Sequence, residues 1–353
     1  MSPLKRDRLL PWAALVTVWI LWGSTYLGIR YAIETIPPLL SAGARFLTAG
    51  LLMFAFVGPR HARGAQRPTW RQLRSATIIG GLLLVGGNGL VSLGEQHLDS
   101  GLAALIVATV PVWMVLINAL VTRTRISGSV LLALVLGTVG IGVLVGGPGG
   151  DVHVGAVVMI LIACVLWAAG SVYARTAPLP RHPLVVASLE MITAGIVLIV
   201  VAGLRGEFGR VVVGDISGAS WFGMAWLVFA GSIVAFSAYM YVNSALPNDT
   251  VATYAYVNPV IAVLLGAVIA RESVGPNVYL GGAIIVVSVA IIVGGRFRKG
   301  RSPHTPSSTA SSTASSTAST TSPAAGSATP APAREQVPGT EPATQRPARP
   351  ARY

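Results

Sequence analysis

Ten apolar runs of about 20 residues each constrain the fold of this chain more than any other feature of its sequence. A helix of about 20 residues crosses a hydrocarbon core of about 30 Å. Only 10% of the 353 residues are charged, whereas a soluble domain carries about a quarter. Because backbone groups inside lipid must be satisfied within their own segment, the sequence predicts an all-α integral membrane protein with ten transmembrane helices. The predicted spans are 11–29, 39–57, 76–93, 102–121, 129–146, 154–172, 184–202, 221–241, 251–270 and 278–295.

The positive charges indicate orientation rather than a nucleic-acid surface. The net charge is +13, but the basic residues lie in short loops and in the C-terminal tail instead of on one soluble face. If both termini are cytoplasmic, the opposite side holds only Arg30, Arg205, Arg210 and Arg271 near the spans. The positive-inside rule therefore favours a cell (plasma or inner) membrane protein with cytoplasmic N- and C-termini and no nucleic-acid partner.

The apolar region consists of two related halves. Shifting residues 111–123 by 148 places PVWMVLINALVTR on PVIAVLLGAVIAR, with six of thirteen positions identical. Shifting 38–50 by 145 places PLLSAGARFLTAG on PLVVASLEMITAG, again with six of thirteen identical. The second shift also aligns Trp22 with Trp167 and Arg30 with Arg175. The change of shift corresponds to about three extra residues before span 8.

A repeat of five spans must enter the membrane from opposite sides in its two copies. Such inverted repeats are typical of secondary transporters, whose substrate site lies near the midplane between the copies. We therefore expect repeats at 1–147 and 148–296. The Ser/Thr/Pro/Ala-rich segment 297–353 has almost no large apolar residues, which predicts a disordered cytoplasmic tail.

Several stretches resemble the EamA-type transporters of the drug/metabolite transporter superfamily. They are WGSTYLGIRYAIETIPPLLSAGARFLTAGLLM (22–53), SGLAALIVATVPVW (100–113), WAAGSVYAR (167–175) and YAYVNPVIAVLLGAVIARES (254–273). The resemblance covers about 11–295 and implies a ten-helix carrier that exports amino acids, metabolites or toxic amphiphiles. One departure concerns the end of span 4: many relatives have Gly-Glu there, and this chain has TRTRIS (122–127). The matching end of span 9 keeps Arg271 and Glu272.

Two charged residues fall inside predicted spans, at equivalent places in the two copies. A charge within a span costs about 2.5–3.5 kcal/mol on insertion scales, so it usually faces the protein interior and has a function. One hypothesis makes Glu190 a proton-coupling or cation-binding carboxylate and Arg45 an anchor for a substrate carboxylate. The alternative has each held by carbonyls or hydroxyls, or reaching to the interface.

Other polar candidates are weaker signals. Glu95 belongs to a cluster with His97 and Asp99 at the predicted outer mouth, which is either pH-sensitive or an ordinary solvated loop. Asn88 and Asn258 offer amides to a polar cavity or, alternatively, hold helices together.

Aromatic residues and prolines complete the set of candidates. Trp22, Trp167, Tyr254 and Tyr256 could line an apolar pocket, although aromatics at span ends are more often interface anchors. Pro111 and Pro259 occupy matching positions and predict a helix break used once in each copy, since proline removes a helical hydrogen bond.

The favoured function is secondary export of a small molecule by alternating access, with proton antiport through Glu190 as a hypothesis. An importer or exchanger of the same fold is the alternative. An intramembrane enzyme is disfavoured, because the Gly231-Ser232 pair has histidines only in loops and in the tail. The expected partners are a small-molecule substrate, the lipid bilayer and protons, with no catalytic residue, metal or cofactor. The sequence does not specify an oligomeric state.

Overall fold

All regular structure that is described in this chain is helical. The computed structural model describes residues 3–62, 68–126, 128–146, 153–246, 248–251, 253–272 and 275–299. The first three residues of the predicted tail, 297–299, belong to the last helix, and the rest of it lies outside the described residues. The α-helices are α1 (Pro3–Ala32), α2 (Pro38–Ala62), α3 (Trp70–Gly80), α4 (Leu90–Gly94), α5 (Ser100–Val107), α6 (Val110–Thr122), α7 (Gly128–Gly146), α8 (Val154–Ala174), α9 (Pro183–Leu204), α10 (Gly218–Trp226), α11 (Ala235–Ala245), α12 (Asn248–Val251), α13 (Tyr254–Val268) and α14 (Pro276–Lys299).

The apolar helices agree with the predicted spans in position. Within the described residues, seven helical segments of at least 18 residues are long and apolar enough to cross a membrane. Three shorter apolar helices, Val130–Leu144, Tyr254–Val268 and Pro276–Ile291, occupy the places of spans 5, 9 and 10. The all-helical class is thereby confirmed for the described residues, while the count of ten spans stays a prediction.

Two spans are continuous through π-helical segments. Gly81–Gly89 connects α3 to α4, and Leu227–Val234 connects α10 to α11. A π-helical segment widens the helix locally and is frequently found at functional sites. The two segments lie about 145 residues apart, so each predicted copy has one in its third span.

The helix breaks differ between the copies. α5 ends at Val107 and α6 begins at Val110, so Pro111 stands in the first turn of a new helix, where its missing N–H costs nothing. Pro259 instead lies inside α13, and the discontinuity falls before Tyr254. A proline six residues into a helix lacks only one internal hydrogen bond, so the helix continues through it.

The two halves pack against each other through reciprocal glycine contacts. A Cβ on Gly50 of α2 would lie 2.8 Å from the nitrogen of Ile192 in α9, and one on Gly195 would lie 2.5 Å from the nitrogen of Leu47. Residues 47 and 192, like 50 and 195, are 145 apart. Each residue of the first contact is therefore replaced in the second contact by its equivalent in the other copy. Such a reciprocal pair of contacts indicates a local two-fold relation between α2 and α9.

The pair α7 and α14 repeats this pattern with the other shift. A Cβ on Gly140 would lie 3.0 Å from the carbonyl oxygen of Gly281. The equivalent positions, 148 residues away, are Ser288 and Ala133, and the Ser288 hydroxyl donates to the Ala133 carbonyl at 2.6 Å. Two helix pairs therefore share one reciprocal arrangement.

Candidate functional site

A cavity of about 650 Å³ lies among helices from both halves of the chain. Its volume falls within the range of small-molecule sites. At one end the cavity wall includes Arg175, Leu179 and Pro180 of the loop after α8. At the other end it includes Ala104 of α5. Nine of the candidates from the sequence are in its wall: Trp22, Arg45, Asn88, Pro111, Trp167, Glu190, Tyr254, Asn258 and Pro259.

Arg45 supplies a buried positive charge to the wall. Its side chain is 7% exposed, and its Nε donates to the Ser232 hydroxyl at 3.0 Å. The guanidinium carbon lies 4.7 Å from the ring centre of Phe46. These contacts fix the base of the guanidinium group, and among the described residues no acceptor occupies its two terminal nitrogens. A planar fork of free N–H groups is suited to binding a carboxylate.

Glu190 supplies a negative charge from α9. It is 8% exposed and lies where α3 packs closely on α9, since a Cβ on Gly80 would lie 2.6 Å from the Glu190 carbonyl oxygen. No described residue donates a hydrogen bond to its carboxylate. The cavity wall therefore has one acidic side chain, Glu190, and two cationic ones, Arg45 and Arg175, a combination that can bind a substrate carrying either charge or both.

Three aromatic rings form a cluster on one wall. The ring centres of Trp22 and Tyr239 are 4.9 Å apart, and Tyr254 lies 5.2 Å from Trp22 in an edge-on arrangement. The Trp22 indole N–H donates to the Gly231 carbonyl at 3.3 Å. Such a cluster presents a rigid apolar surface for the hydrophobic part of a ligand.

Trp167 and Asn88 contribute to the wall from the first π-helical segment and its neighbour. A Cβ on Gly87 would lie 2.7 Å from the Trp167 ring, so glycine there allows α8 to approach. Asn88 is partly exposed within the same segment. The indole of Trp167 and the amide of Asn88 therefore add aromatic and polar groups without the close ring contacts seen around Trp22.

Asn258 holds two helices together. With its amide nitrogen turned toward them, it donates to the carbonyl oxygens of Trp19 in α1 and Tyr254 in α13, each at 3.2 Å. These two bonds join α1 to α13 and support the interhelical alternative for this residue. Because Asn258 also lies in the cavity wall beside Pro259, its orientation depends on the packing of α1 against α13.

Two candidates lie away from the wall. Tyr256 packs in a cluster with residues of α7 and α14. Glu95, just beyond the apolar span Trp70–Gly94, is 5% exposed, and neither carboxylate oxygen has a partner among the described residues. Burial raises the pKa of Glu95 well above its usual range, and the Glu272 carboxylate acts in the same direction, against Arg30 and Arg45. Burial and the lack of a described partner both favour the protonated form of the Glu95 carboxyl.

The residues near Glu95 in the chain are engaged elsewhere. The ring of His97 stacks on His153 with centres 4.7 Å apart. Asp99 accepts from the Arg30 guanidinium at 2.8 Å, and the same nitrogen lies 3.1 Å from Glu272. Among the described residues these are the two ion pairs, and both lie beyond the Ala104 end of the cavity.

Sequence reasoning did not select Tyr239, Ser232 or the Arg30–Glu272 pair as site residues. Tyr239 and Ser232 lie in a span whose aromatic and hydroxyl side chains have no charge to mark them. The pair joins residues 242 positions apart, which only the packing of α1 on the end of α13 brings together. The repeat alignment of Arg30 with Arg175 was the one signal that could have drawn attention to Arg30.

The helices and the cavity define a polytopic α-helical membrane protein with an internal cavity of the size of small-molecule sites, the class to which membrane transporters belong. A family model described as the EamA-like transporter family matches residues 11–146 and again 154–294. The chain belongs to this family, which confirms the resemblance seen in the sequence.

Two of the relatives of this chain are named as transporters. The chain is 38% identical to the "Uncharacterized inner membrane transporter YedA" of Escherichia coli over 297 residues, covering 83% of this chain and 94% of the relative. It is 26% identical to the "Uncharacterized transporter YvbV" of Bacillus subtilis, over 77% of this chain and 88% of the relative. A solved structure described as "Crystal structure of protein" aligns with a TM-score of 0.54 at 19% identity, over 82% of this chain and 97% of that one. This last match supports the fold alone.

Proposed function

We propose that this transporter is a secondary exporter of small amphiphilic molecules, such as amino acids, metabolites or drugs, and that it works by alternating access. The observation that carries the proposal is the composition of the cavity wall, where Arg45, Glu190 and the ring of Trp22 surround one volume of about 650 Å³. A charged group and an apolar body on one ligand would match these side chains.

The reciprocal contacts support two inverted repeats as the basis of the mechanism. The first repeat is 1–147 and the second 148–296, with ten spans and both termini cytoplasmic. The family model supports this division because it matches twice, with boundaries close to those expected. In carriers of this kind, one repeat moves against the other around a site between them.

The predicted orientation of the chain assigns one end of the cavity to the cytoplasm. Its wall includes the exposed Arg175 and the partly buried Leu179, in a loop that the charge distribution assigns to the cytoplasm. An opening at these residues would take up substrate from inside, which is the direction that an exporter needs. Proton antiport would use a buried carboxylate that alternates between the two sides, and Glu190 in the wall is the proposed group.

An untargeted comparison of metabolites tests export. Cells expressing the wild type should release a compound that Arg45→Gln and Glu190→Gln cells retain. Glu34→Gln and Arg71→Gln remove the same charges at exposed positions and should behave as wild type. Equal release by Glu190→Gln would contradict its coupling role while leaving export intact. Accumulation instead of release would identify an importer of the same fold.

A further inference from the structure

Glu272 contacts two other segments of the chain, α1 and the start of α5. It follows Arg271, whose φ of 53° turns the chain back after α13. Its side chain is 3% exposed and accepts from the Ser100 nitrogen at 3.0 Å, the Ser100 hydroxyl at 2.7 Å and the Gly101 nitrogen at 3.3 Å. The Arg30 guanidinium of α1 completes its partners. Residues of the first half thus bind an acid of the second half, just beyond the cavity.

Glycine at position 266 makes room for this arrangement. A Cβ there would overlap the Glu272 carboxylate, whose own backbone nitrogen donates to the Gly266 carbonyl at 3.0 Å. The turn and the carboxylate are therefore packed as one unit against α5. Opening a path from the Ala104 end of the cavity requires α5, α1 and the end of α13 to separate, and hence requires these contacts to break.

The end of α6 has the same backbone turn as the end of α13, but without the acid. Among the described residues, positive φ at a non-glycine residue occurs at Arg271 and at Arg123, with φ of 51°. These positions are 148 apart, the shift that relates the ends of spans 4 and 9. Thr124 therefore occupies the place of Glu272, and its hydroxyl lies 3.0 Å from that of Thr122.

The basic partner is retained in both copies. Arg30 corresponds to Arg175 through the shift of 145, and Arg175 is an exposed residue of the cavity wall. The reciprocal contacts between α2 and α9 and between α7 and α14 predict that closing the cavity at Arg175 brings this residue toward position 124. Thr124 offers it a hydroxyl there, where Glu272 offers Arg30 a carboxylate.

From these positions we propose that Arg30 and Glu272 form a latch on one side of the cavity, and that threonine at position 124 leaves the Arg175 side without the matching carboxylate. This asymmetry biases the transporter toward the state that is open on the Arg175 side. The inference rests on the proposed alternating access and specifies how the two states differ in energy.

The test introduces an acid with Thr124→Glu and removes the existing acid with Glu272→Gln. The reporter is Val107→Cys, which lies in the cavity wall, in a Cys164→Ala background that removes the single native thiol. The full chain is labelled with a membrane-impermeant maleimide, in intact cells and in inverted vesicles, so that each side is measured separately. In the reporter protein alone, labelling from the Arg175 side should be the faster of the two.

Thr124→Glu should slow labelling from the Arg175 side and speed it from the other side, by roughly two- to fivefold for one partly exposed ion pair. Thr124→Gln, of the same length without charge, should leave both rates unchanged. Adding Arg175→Gln to Thr124→Glu should restore the reporter's original rates. Glu272→Gln should speed labelling from the Glu272 side.

The latch is refuted if Thr124→Glu labels like Thr124→Gln, or if Glu272→Gln leaves the rates of a folded protein unchanged. Since position 124 is exposed, Thr124→Glu gives a folded test even if Glu272→Gln does not. Labelling needs no substrate, so a shift in labelling without any measured transport would contradict the proposed export and support the latch. Transport without a shift in labelling would support the proposed export and contradict the latch.

Discussion

The substitution Gly195→Ala tests the close packing of α2 on α9. The new Cβ would lie 2.5 Å from the nitrogen and 2.8 Å from the Cα of Leu47. These are backbone atoms, so no side-chain rotation can relieve the overlap, and the two helices must move apart. Alanine should gain about 0.5–1 kcal/mol over glycine as a helix residue. Overpacking costs about 1–3 kcal/mol, so a net loss of stability is expected.

The assay is thermal unfolding of the purified protein in detergent at a fixed scan rate, because membrane proteins often unfold irreversibly. A loss of about 1–2 kcal/mol should lower the apparent midpoint by roughly 1–3 °C for a chain of this size, because the entropy of unfolding grows with the number of residues. Gly142→Ala in α7 is the matched control, since nothing lies within 4 Å of its added Cβ. It should match or exceed the wild-type midpoint.

The reciprocal substitution extends the test to the two-fold relation. Gly50→Ala places a Cβ 2.8 Å from the nitrogen of Ile192, so its effect should resemble that of Gly195→Ala. Because both act on one interface, the double variant should lose less than the sum of the two single losses. A midpoint for Gly195→Ala equal to that of Gly142→Ala would refute the packing argument.

Three further predictions concern charged side chains. Arg45→Lys should lose most of the transport rate although the charge is kept, because lysine cannot bind Ser232 and still present two further nitrogens. Transport of the identified compound at the wild-type rate would contradict this. Glu95→Gln should unfold like wild type at low pH and be the more stable protein as pH rises, since burial favours the protonated acid and ionising it costs stability. Unfolding midpoints of the two proteins that stay the same distance apart across the pH range would contradict a raised pKa at Glu95. Glu207→Ala should lower stability by about 1–3 kcal/mol, because its buried carboxylate accepts from the Leu40 nitrogen in the first turn of α2 at 2.9 Å; thermal unfolding beside exposed Glu34→Ala checks this.

Several features of the site followed from local sequence. Charges within apolar spans are rare enough to mark Arg45 and Glu190, and the structure brings both to one cavity. Trp22 and Trp167 were found through the repeat, because equivalent positions in two related halves have equivalent surroundings. Tyr256 shows the limit of this reasoning: neighbouring residues on a helix face different directions, so it packs on α7 and α14 while Tyr254 lines the cavity.

The sequence by itself determined the all-helical membrane class, the family and the positions of the spans, since these depend on hydrophobicity along the chain and on local similarity. Tertiary structure decided which charges meet. Glu95 belongs to a polar stretch of sequence, yet packing buries it without a partner in the described part of the chain. Arg30 and Glu272 form an ion pair only because α1 packs beside the end of α13. Electrostatic energy depends on distance and burial, and neither quantity is encoded at a single position of the chain.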